Sequence, residues 1–535
     1  MLNIDADIDT VRASRAGHTF HERWAARRAL QLVFPNDDLF AIAVEGISAT
    51  ETANPGARAE EVADLVLYYG RGDNFQTCER LETVQFKHKL RKAAVTAVYL
   101  KKTIEKFSDT ILGYEKELSA ADVDKKASFI FVTNSEFTES LWDAIKSLIE
   151  GTTPSVLGAA TQARNLKKWC SKRGLSDASR LFSRIVFRAG EKSVAGLDNA
   201  LRRTLTDWSA GADSEARLRL HGLQDLVLKK AGPSGQGKNL IRREDVLDAL
   251  DCEPEDLFPA DTRFIDVGAV VERAELSTVG DLVKASELPL LVHADGGVGK
   301  TVFVQSLAAR MANEFECVVF DCFGGGSYRS DNHSRHLPRI GLVQIVNELA
   351  SRTLCDPMLP GGDDSRKIIK AARRRLAQAA TAIRTQSKKL GLLIIVDAAD
   401  NAQLEADYRH EKAFPKLLLS AIDEDAIDGV KLLLTARTHR KDKVIGRTTV
   451  KEVELGPFTD PEARKFVKDR KRGASGVEIA TALARSLRNA RVLDYLVQTW
   501  DTNVLGKTSA AYHSPRNHRP TMRQDRLRSS CCRMA

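Results

Sequence analysis

The sequence predicts a multidomain α/β protein, and three observations lead to this fold class. First, 535 residues exceed what one hydrophobic core usually supports, so several domains are expected. Second, strand-like and helix-like segments alternate in two separate stretches of the chain, which is typical of α/β folds. Third, the pattern after about residue 471 is helical only and indicates the start of a further, helical domain.

Changes in this pattern predict five segments. They are an N-terminal α/β domain at 1–230, a linker at 231–262, a second α/β domain at 263–470, the start of a helical or winged-helix domain at 471–505, and a disordered or aberrant tail at 506–535. The tail has almost no apolar periodicity and is rich in Arg, Ser and His. We expect either a solvated tail or, as we favour, a chain that ends prematurely or leaves its natural frame.

The composition, 43% hydrophobic and 29% charged, favours an ordinary soluble protein. No apolar run approaches the length of a membrane span, and the acidic N-terminus does not resemble a secretory signal, so we expect a cytoplasmic protein without a membrane partner. The eight cysteines lack the paired spacing of zinc sites. The net charge of +9 says little about partners, because the last 35 residues hold seven Lys and Arg against two Asp, leaving +4 for the other 500.

The first α/β domain begins with a helix whose apolar stripe includes one carboxylate. The periodicity predicts a helix at 18–33, with Glu22 on the same face as Ala26 and Ala29. The following segments are predicted as strands at 40–45, 62–69, 81–89 and 128–134, a helix at 97–111, and a mostly helical region at 138–230.

Polar side chains on two neighbouring strands of this domain form a candidate metal site. A turn at 70–74 would bring Asp64 close to Gln85 and Lys87. Asp64 would bind Mg²⁺ directly, Gln85 would offer a carbonyl oxygen, and Lys87 would position a water that attacks a phosphate. Glu45 and Glu22 are candidates for a further acid, with Glu45 as a possible metal ligand. Alternatively, Asp64 caps a turn and Lys87 lies on a solvated strand face.

The second α/β domain carries a phosphate-binding loop. In "LPLLVHADGGVGKTVFVQSLAARM" (288–311), an apolar strand leads through glycines into an amphipathic helix. Glycines let backbone N–H groups converge on a phosphate, and the helix N-terminus adds positive potential. The candidate binding residues are Gly296, Gly297, Gly299, Lys300 and Thr301, of which Thr301 would hold Mg²⁺. Ala294 stands where the pattern has its first glycine, and a negative φ would tolerate it.

Two further buried strands end in polar residues that suit the same site. The strand at 390–397 ends in Asp397, which would bind Mg²⁺ through water, and Asp400 follows one turn later. The strand at 430–437 delivers Arg437 to the same sheet edge, where it could contact the γ-phosphate. The alternative is three core strands with ordinary polar ends. Because Asn401 stands where a catalytic glutamate is usual, we expect slow hydrolysis.

These motifs resemble those of the STAND class of signalling ATPases, which includes NACHT and NB-ARC proteins. "HADGGVGKT", "IIVDAAD" and "LLLTAR" resemble its Walker A, Walker B and arginine patterns, and "ELGPF" resembles an element in which Pro457 would pack near adenine. "VVFDCFGGGSYRS" (318–330) and "SLRNARVLDYL" (486–496) are similar to segments of the bacterial antiviral STAND NTPases (Avs). This resemblance implies ATP and Mg²⁺ as cofactors, self-association into an oligomer such as a tetramer, and a phage protein that acts as trigger through a C-terminal sensor, which does not follow residue 500 here.

In such proteins the effector is often a PD-(D/E)XK nuclease, and residues 1–230 resemble one of the CBASS or Mrr type, with a restriction-endonuclease-like fold. The resemblance implies cleavage of double-stranded DNA that is switched on by ATP. One alternative is an ATP-binding signalling scaffold with an inactive nuclease-like domain. A second, an ATP-driven restriction translocase, is less favoured because helicase motifs do not accompany the phosphate loop.

Overall fold

The computed structural model describes residues 4–33, 38–48, 51, 63–90, 93–235, 237–264, 270–330 and 334–500. The predicted tail at 506–535 lies outside the described residues. The chain divides into two compact units. The first comprises Met1–Val267, Ala274–Gly296 and Lys300–Leu455, and the second comprises Gly268–Arg273, Gly297–Gly299 and Gly456–Ala535.

The first unit contains a mixed six-stranded sheet in its N-terminal half. Its strands are β1 (Leu39–Val44), β2 (Leu65–Tyr69), β3 (Arg80–Lys87), β4 (Ala127–Thr133), β5 (Ile185–Arg188) and β6 (Leu240–Ile241), in the spatial order β5-β4-β3-β2-β1-β6. Strand β2 pairs antiparallel with both β1 and β3, whereas β3, β4 and β5 are parallel. In this register Leu65 lies opposite Val84, which places the end of β3 beside the start of β2.

Helices cover both faces of this sheet. They are α1 (Ile4–Ala29), α2 (Ala97–Tyr114), α3 (Ala120–Lys126), α4 (Glu139–Glu150), α5 (Ala159–Lys172), α6 (Ala178–Phe182), α7 (Val194–Trp208), α8 (Asp213–Ala231), α9 (Arg243–Ala249) and α10 (Pro254–Leu257). Because strand side chains alternate, Val84 and Phe86 pack in the core that includes α1, α7 and α8, while Leu81 packs in the core that includes α2, α4 and α5. Both faces of β3 are therefore buried.

The second sheet is fully parallel. Its strands are β7 (Leu290–Ala294), β8 (Phe315–Asp321), β9 (Gly391–Asp397), β10 (Val430–Arg437) and β11 (Lys451–Glu454), in the order β11-β7-β10-β9-β8. The helices of this region are α11 (Glu275–Ala285), α12 (Lys300–Met311), α13 (Pro338–Ser351), α14 (Ser365–Gln386), α15 (Ala399–Arg409), α16 (Phe414–Glu424) and α17 (Lys441–Ile445). Parallel strands buried on both faces explain the nearly continuous apolar runs in the sequence.

In the second unit, the described residues between 460 and 500 form three helices. Its helices are α18 (Asp460–Arg470), α19 (Gly476–Ser486) and α20 (Ala490–Gln498). Capping boxes fix the starts of α18 and α19. The hydroxyls of Thr459 and Ser475 each accept a hydrogen bond from the backbone N–H of the glutamate three residues later, and the side chain of that glutamate accepts one from the backbone N–H of the capping residue. Buried side chains such as Phe458, Leu483 and Leu493 form the core of this unit.

The predicted α/β class is confirmed, and the structure refines the predicted elements. The first helix begins at Ile4 rather than near residue 18, and a short strand, β5, lies within the stretch predicted as mostly helical. The predicted linker at 231–262 holds β6, α9 and α10, and β6 pairs with β1 of the first sheet. Among the described residues, no helix is both long and apolar enough to cross a membrane.

Buried polar contacts join the two halves of the first unit. The side chain of Arg375 on α14 is fully buried and donates to the carbonyl oxygens of Pro357 (3.0 Å) and Asp207 (2.8 Å). Asp207 lies near the end of α7, and the next residue, Trp208, accepts a backbone hydrogen bond from Leu359 (2.8 Å). The end of α7 is thus held directly by the region that contains the parallel sheet.

Candidate functional site

The phosphate loop joins β7 to α12 in the manner that the sequence predicts. Ala294 is the last residue of β7 and therefore has the extended backbone that alanine tolerates. Gly297 and Gly299 have φ values of 81° and 100°, in the left-handed region where glycine is strongly preferred. The Lys300 Nζ donates to the carbonyl oxygens of Ala294 (2.9 Å) and Asp295 (3.0 Å), so its side chain folds back over the start of the loop.

Lys300 is a partly desolvated cation. Burial lowers the pKa of its ammonium, whereas the carboxylates of Asp400 and Asp397 raise it in opposition. A cation that has lost part of its water shell beside a glycine-rich loop is suited to bind a phosphate, which would replace the lost water contacts.

Asp397 lies at the carboxyl end of β9 and is 1% exposed. One of its oxygens accepts a hydrogen bond from the hydroxyl of Thr301 (2.6 Å), and the other accepts from the hydroxyl of Thr435 (2.5 Å). Burial raises the pKa of Asp397, and the two hydroxyls oppose that rise because they stabilise the charged form. The predicted pair of Thr301 and Asp397 is therefore brought into direct contact.

Asp400 and Arg437 also meet at this edge. Arg437 ends β10 directly opposite Ala294 in the sheet register, and its Nε lies 3.8 Å from the Oδ2 of Asp400. Arg440, which the sequence reasoning missed, lies at 3.6 Å from the same oxygen. Asp400 is only 3% exposed, and its Oδ2 makes no hydrogen bond. The positive charges of the two arginines therefore offset the buried negative charge of Asp400 without direct hydrogen bonds.

These residues fit a nucleotide with Mg²⁺. The hydroxyl of Thr301 and the carboxylate of Asp397 are hard oxygen donors 2.6 Å apart, which is the chemistry that Mg²⁺ prefers. The ammonium of Lys300 lies near Asp397 and supplies positive charge that would attract the phosphates. Thr301 and Asp397 would hold the ion, Asp397 through water, and the ion would neutralise charge on the phosphates.

In the second unit, Arg273 connects the loop with the segment of Pro457. Arg273 is 6% exposed and donates to the carbonyl oxygens of Val298 (3.3 Å), Gly456 (2.8 Å) and Pro457 (3.4 Å). The backbone carbonyl of Gly297 accepts from the N–H of Arg491 at the start of α20 (2.9 Å). A role of Pro457 beside adenine stays a prediction.

The candidate metal site of the N-terminal half is assembled by the β2–β3 hairpin. Asp64 lies one residue before β2 rather than within it, and its backbone N–H donates to the carbonyl oxygen of Val84 (3.1 Å). Its Oδ2 accepts a hydrogen bond from the amide of Gln85 and another from the backbone N–H of Phe86 (2.6 Å). Asp64 and Gln85 are thus brought together, as the sequence predicts.

Gln85 differs from the alternative of a solvated strand face, whereas Lys87 is partly exposed. Gln85 is 5% exposed, and its carbonyl oxygen is buried without a hydrogen-bond partner. An orphaned buried acceptor beside a carboxylate is the arrangement that a cation would complete. Lys87 is partly exposed; burial lowers the pKa of its ammonium and Asp64 raises it.

Of the two glutamates predicted as the further acid, the structure brings Glu45 and not Glu22 to this site. Burial raises the pKa of Asp64, His21 lowers it, and Glu45 raises it further. Glu22 instead lies 3.8 Å from the guanidinium of Arg23. His21 is a residue that sequence reasoning missed, because its position on α1 relative to β2 depends on how the helix packs on the sheet.

Thr435 is a third residue, after Arg440 and His21, that the sequence did not predict. Its hydroxyl donates to Asp397 and accepts from the backbone N–H of Ala398 (2.7 Å). Ala398 has a φ of 56°, so this bond holds the strained turn between β9 and α15. The available signal was a single hydroxyl in the otherwise apolar run "LLLTA" of β10, two residues before the strand ends.

Comparisons with known proteins address the second half of the chain. No curated protein matches the chain. One solved structure to which it is similar, "Structure of C. elegans PCH-2", is 15% identical over 44% of this chain and 62% of that chain, with a TM-score of 0.24, a similarity too weak to carry an argument. The family model described as "NACHT domain" matches residues 288–474. Residues 288–474 therefore form a NACHT domain, a P-loop NTPase of the STAND family, which indicates a nucleotide-dependent regulatory function.

Proposed function

We propose that the chain is an ATP-regulated anti-phage defence effector. In this proposal, ATP binding and self-association activate metal-dependent endonucleolytic cleavage of double-stranded DNA by the N-terminal α/β domain. The NACHT domain accounts for the nucleotide dependence in this proposal. The nuclease activity, the antiviral role, the oligomer and the DNA partner are proposed in addition.

The observation that carries the nuclease proposal is the convergence of Asp64, Gln85 and Lys87. Both donors to Asp64 bind its Oδ2, which leaves Oδ1 available to a cation beside the orphaned carbonyl oxygen of Gln85. Mg²⁺ bound there would lower the pKa of a water that attacks phosphorus. Lys87 would orient that water and neutralise the charge that develops on the phosphate.

The positive charge around Lys87 supports a phosphate-rich substrate. Lys102 and Lys106, on α2, both act on the ammonium of Lys87 and lower its pKa. Clustered lysines repel one another in the free protein, and a polyanion such as DNA would relieve that repulsion while neutralising all three. We therefore assign Lys102 and Lys106 to DNA positioning rather than to the chemical step.

The buried contacts at the end of α7 offer a route from nucleotide to nuclease. Arg375 and the segment 357–360 hold the backbone of Asp207 and Trp208. A movement of α14 on ATP binding would therefore displace α7, which packs on the same sheet face as α1. We further propose that a phage protein, acting through a C-terminal sensor, favours an assembled state, such as a tetramer, through differential affinity.

A cleavage assay on the full chain tests the nuclease proposal. Supercoiled and linear duplex DNA would be incubated with ATP and with Mg²⁺ or Mn²⁺. Lys87→Ala would be compared with Lys116→Ala, which changes an exposed lysine two residues after the end of α2. Metal-dependent cutting that Lys87→Ala abolishes and Lys116→Ala retains is the expected result.

Absence of cutting, together with no Mg²⁺ or Mn²⁺ binding that depends on Asp64, would favour the alternative function. In that case the N-terminal domain serves an ATP-binding signalling scaffold as an inactive nuclease-like module. The burial that raises the pKa of Asp64 is the observation that keeps this alternative in view, since it weakens a lone carboxylate as a metal ligand.

A further inference from the structure

Two histidines and a glutamate converge beside the candidate nuclease residues. His18 and His21 lie three residues apart on α1 and therefore on one face of the helix, with their rings 6.0 Å apart. Glu45 follows directly after β1. One donor atom from each of the three residues can be chosen so that all lie within 4.8 Å of one another.

The imidazole of His21 is held in place but lacks a hydrogen bond at one nitrogen. Its ring stacks on Phe86 at 4.7 Å with an interplanar angle of 27°, and Phe86 is itself 2% exposed. The Nδ1 of His21 is buried and makes no hydrogen bond, and it lies 3.8 Å from a carboxylate oxygen of Glu45. Two donors on one tetrahedral metal ion are separated by roughly 3.4 Å, so a small side-chain rotation would close the site.

The backbone of Glu45 is held in an unusual conformation, which limits where its carboxylate can lie. Glu45 has a φ of 50°, a left-handed conformation that is unfavourable for a residue with a Cβ, and Gly46 follows it. Its N–H donates to the carbonyl oxygen of Asp64 (2.9 Å), which fixes the position of Glu45 relative to the hairpin. Strain of this kind persists where the surrounding contacts determine the conformation.

We propose that His18, His21 and Glu45 bind a divalent transition-metal ion of the zinc class. Glu45 would serve this ion, and the Mg²⁺ proposed at Asp64 would be held by Asp64 and Gln85 alone. Two imidazoles and one carboxylate are the ligand set that suits zinc with a fourth, open position, whereas Mg²⁺ prefers oxygen donors alone. His18 and Glu45 are exposed, so an ion can enter from solvent. The proposal lies beside the proposed nuclease centre but does not rest on DNA cleavage.

Titration of the full chain with Zn²⁺ by calorimetry tests the site, in excess Mg²⁺ so that oxygen-only sites are filled. A Cys531→Ser and Cys532→Ser background removes two adjacent thiols that would compete for zinc. We expect one tight Zn²⁺ per chain, and at least tenfold weaker binding in His18→Ala and in His21→Phe, which keeps a ring to stack on Phe86. The exposed His221 on α8 provides the control, and His221→Gln should bind as the parent does.

Two further measurements keep the test decisive. Co²⁺ bound in place of Zn²⁺ should give the visible absorption of a tetrahedral site, and this absorption should be lost in His18→Ala. Glu45→Gly should lose metal binding while its melting temperature is equal or higher, because glycine relieves the positive φ. The inference is overturned if the parent binds no Zn²⁺, or if His18→Ala and His21→Phe bind it unchanged. Zn²⁺ binding with these losses in a chain that never cuts DNA would support this inference and count against the nuclease proposal alone.

Discussion

The two α/β regions both place an aspartate near the end of a strand and a lysine beside it, but they hold the aspartate differently. Asp397 is fully buried, and two threonine hydroxyls bind its two oxygens. Asp64 is partly exposed, and an amide and a backbone N–H both bind one of its oxygens. The first carboxylate is enclosed on both sides, whereas the second keeps one oxygen for a ligand.

The type of hydrogen-bond donor decides whether a carboxylate can exchange its partners for a ligand. A threonine hydroxyl can rotate from Asp397 to a metal ion, because it can accept as well as donate. An amide N–H and a backbone N–H can only donate, so the Oδ2 of Asp64 remains committed. The hydroxyl partners of Asp397 can therefore exchange, whereas the two donors to Asp64 stay on Oδ2 and leave Oδ1 for a ligand.

Substitution of Lys87 is expected to have the largest effect. A loss of DNA cutting would show that the N-terminal site carries out a chemical reaction, which distinguishes it from the nucleotide site. Lys87→Ala should lower the rate of DNA cutting by roughly 10²–10³-fold, or about 2.7–4 kcal/mol in activation free energy, because an ammonium that stabilises developing phosphate charge is lost. Single-turnover cleavage by the full chain measures this. A rate within threefold of the parent would remove Lys87 from the mechanism.

The contact between the two regions provides the next effect. Arg375→Met should lower the free energy of unfolding by about 3 kcal/mol, because the carbonyl oxygens of Pro357 and Asp207 lose a buried donor. Chemical denaturation measures the change. Lys370→Ala, at an exposed position on the same helix, should change the free energy by less than about 0.5 kcal/mol. Equal effects of the two substitutions would contradict a role of Arg375 in joining the regions.

Nucleotide affinity should respond to Lys300. Lys300→Ala removes a charge-assisted bond worth about 1.5–3 kcal/mol, so ATP should bind roughly 10–100-fold more weakly. Fluorescence titration with a labelled ATP analogue measures this, and Lys284→Ala on α11 serves as a surface control. If Lys300→Ala bound ATP like the parent, the loop would not be the phosphate site.

Thr435 tests the enclosed character of Asp397. Thr435→Val should cost about 1–2 kcal/mol of unfolding free energy, since Asp397 and the N–H of Ala398 each lose a buried partner. The exposed Thr381→Val on α14 is the matched control.

The same substitution predicts a pH effect. Burial already raises the pKa of Asp397, and loss of the Thr435 hydroxyl should raise it further. Since Mg²⁺ requires the deprotonated carboxylate, ATP–Mg²⁺ binding should fail at a higher pH in Thr435→Val as the solution is acidified. The raised pKa also makes the stability contribution of Asp397 depend on pH. This contribution is fully present below the usual pKa of 3.8 and is lost as the pH rises through the folded-state pKa. An unchanged acid limb would show that Thr435 does not act on Asp397.

The sequence predicted the nucleotide region more completely than the N-terminal one for a physical reason. In a parallel sheet, the carboxyl ends of strands meet at one edge, so Lys300, Asp397 and Arg437 can be placed together from local motifs alone. The pair Asp64 and Gln85 could also be predicted, because one hairpin turn sets their approach. Thr435 needed the register of β9 against β10, since only that register shows which hydroxyl reaches Asp397.

His21 and Glu22 show the limit most clearly. Both lie on α1, one residue apart, and the sequence favours Glu22 because a carboxylate on an apolar stripe is unusual. The rotation of α1 on the sheet instead brings His21 to Asp64 and leaves Glu22 beside Arg23. Helix rotation depends on packing contacts across the whole core, which a local pattern does not contain.

Whether nucleotide at the NACHT domain controls the N-terminal site, as we propose, can be measured by DNA cutting. DNA cutting by the full chain would be measured with Mg²⁺, with and without ATP, in the parent and in Lys300→Ala. We expect ATP to increase cutting by the parent and to leave Lys300→Ala at the parent's ATP-free rate. Cutting that is equal with and without ATP in both proteins would show that nucleotide does not control the N-terminal site.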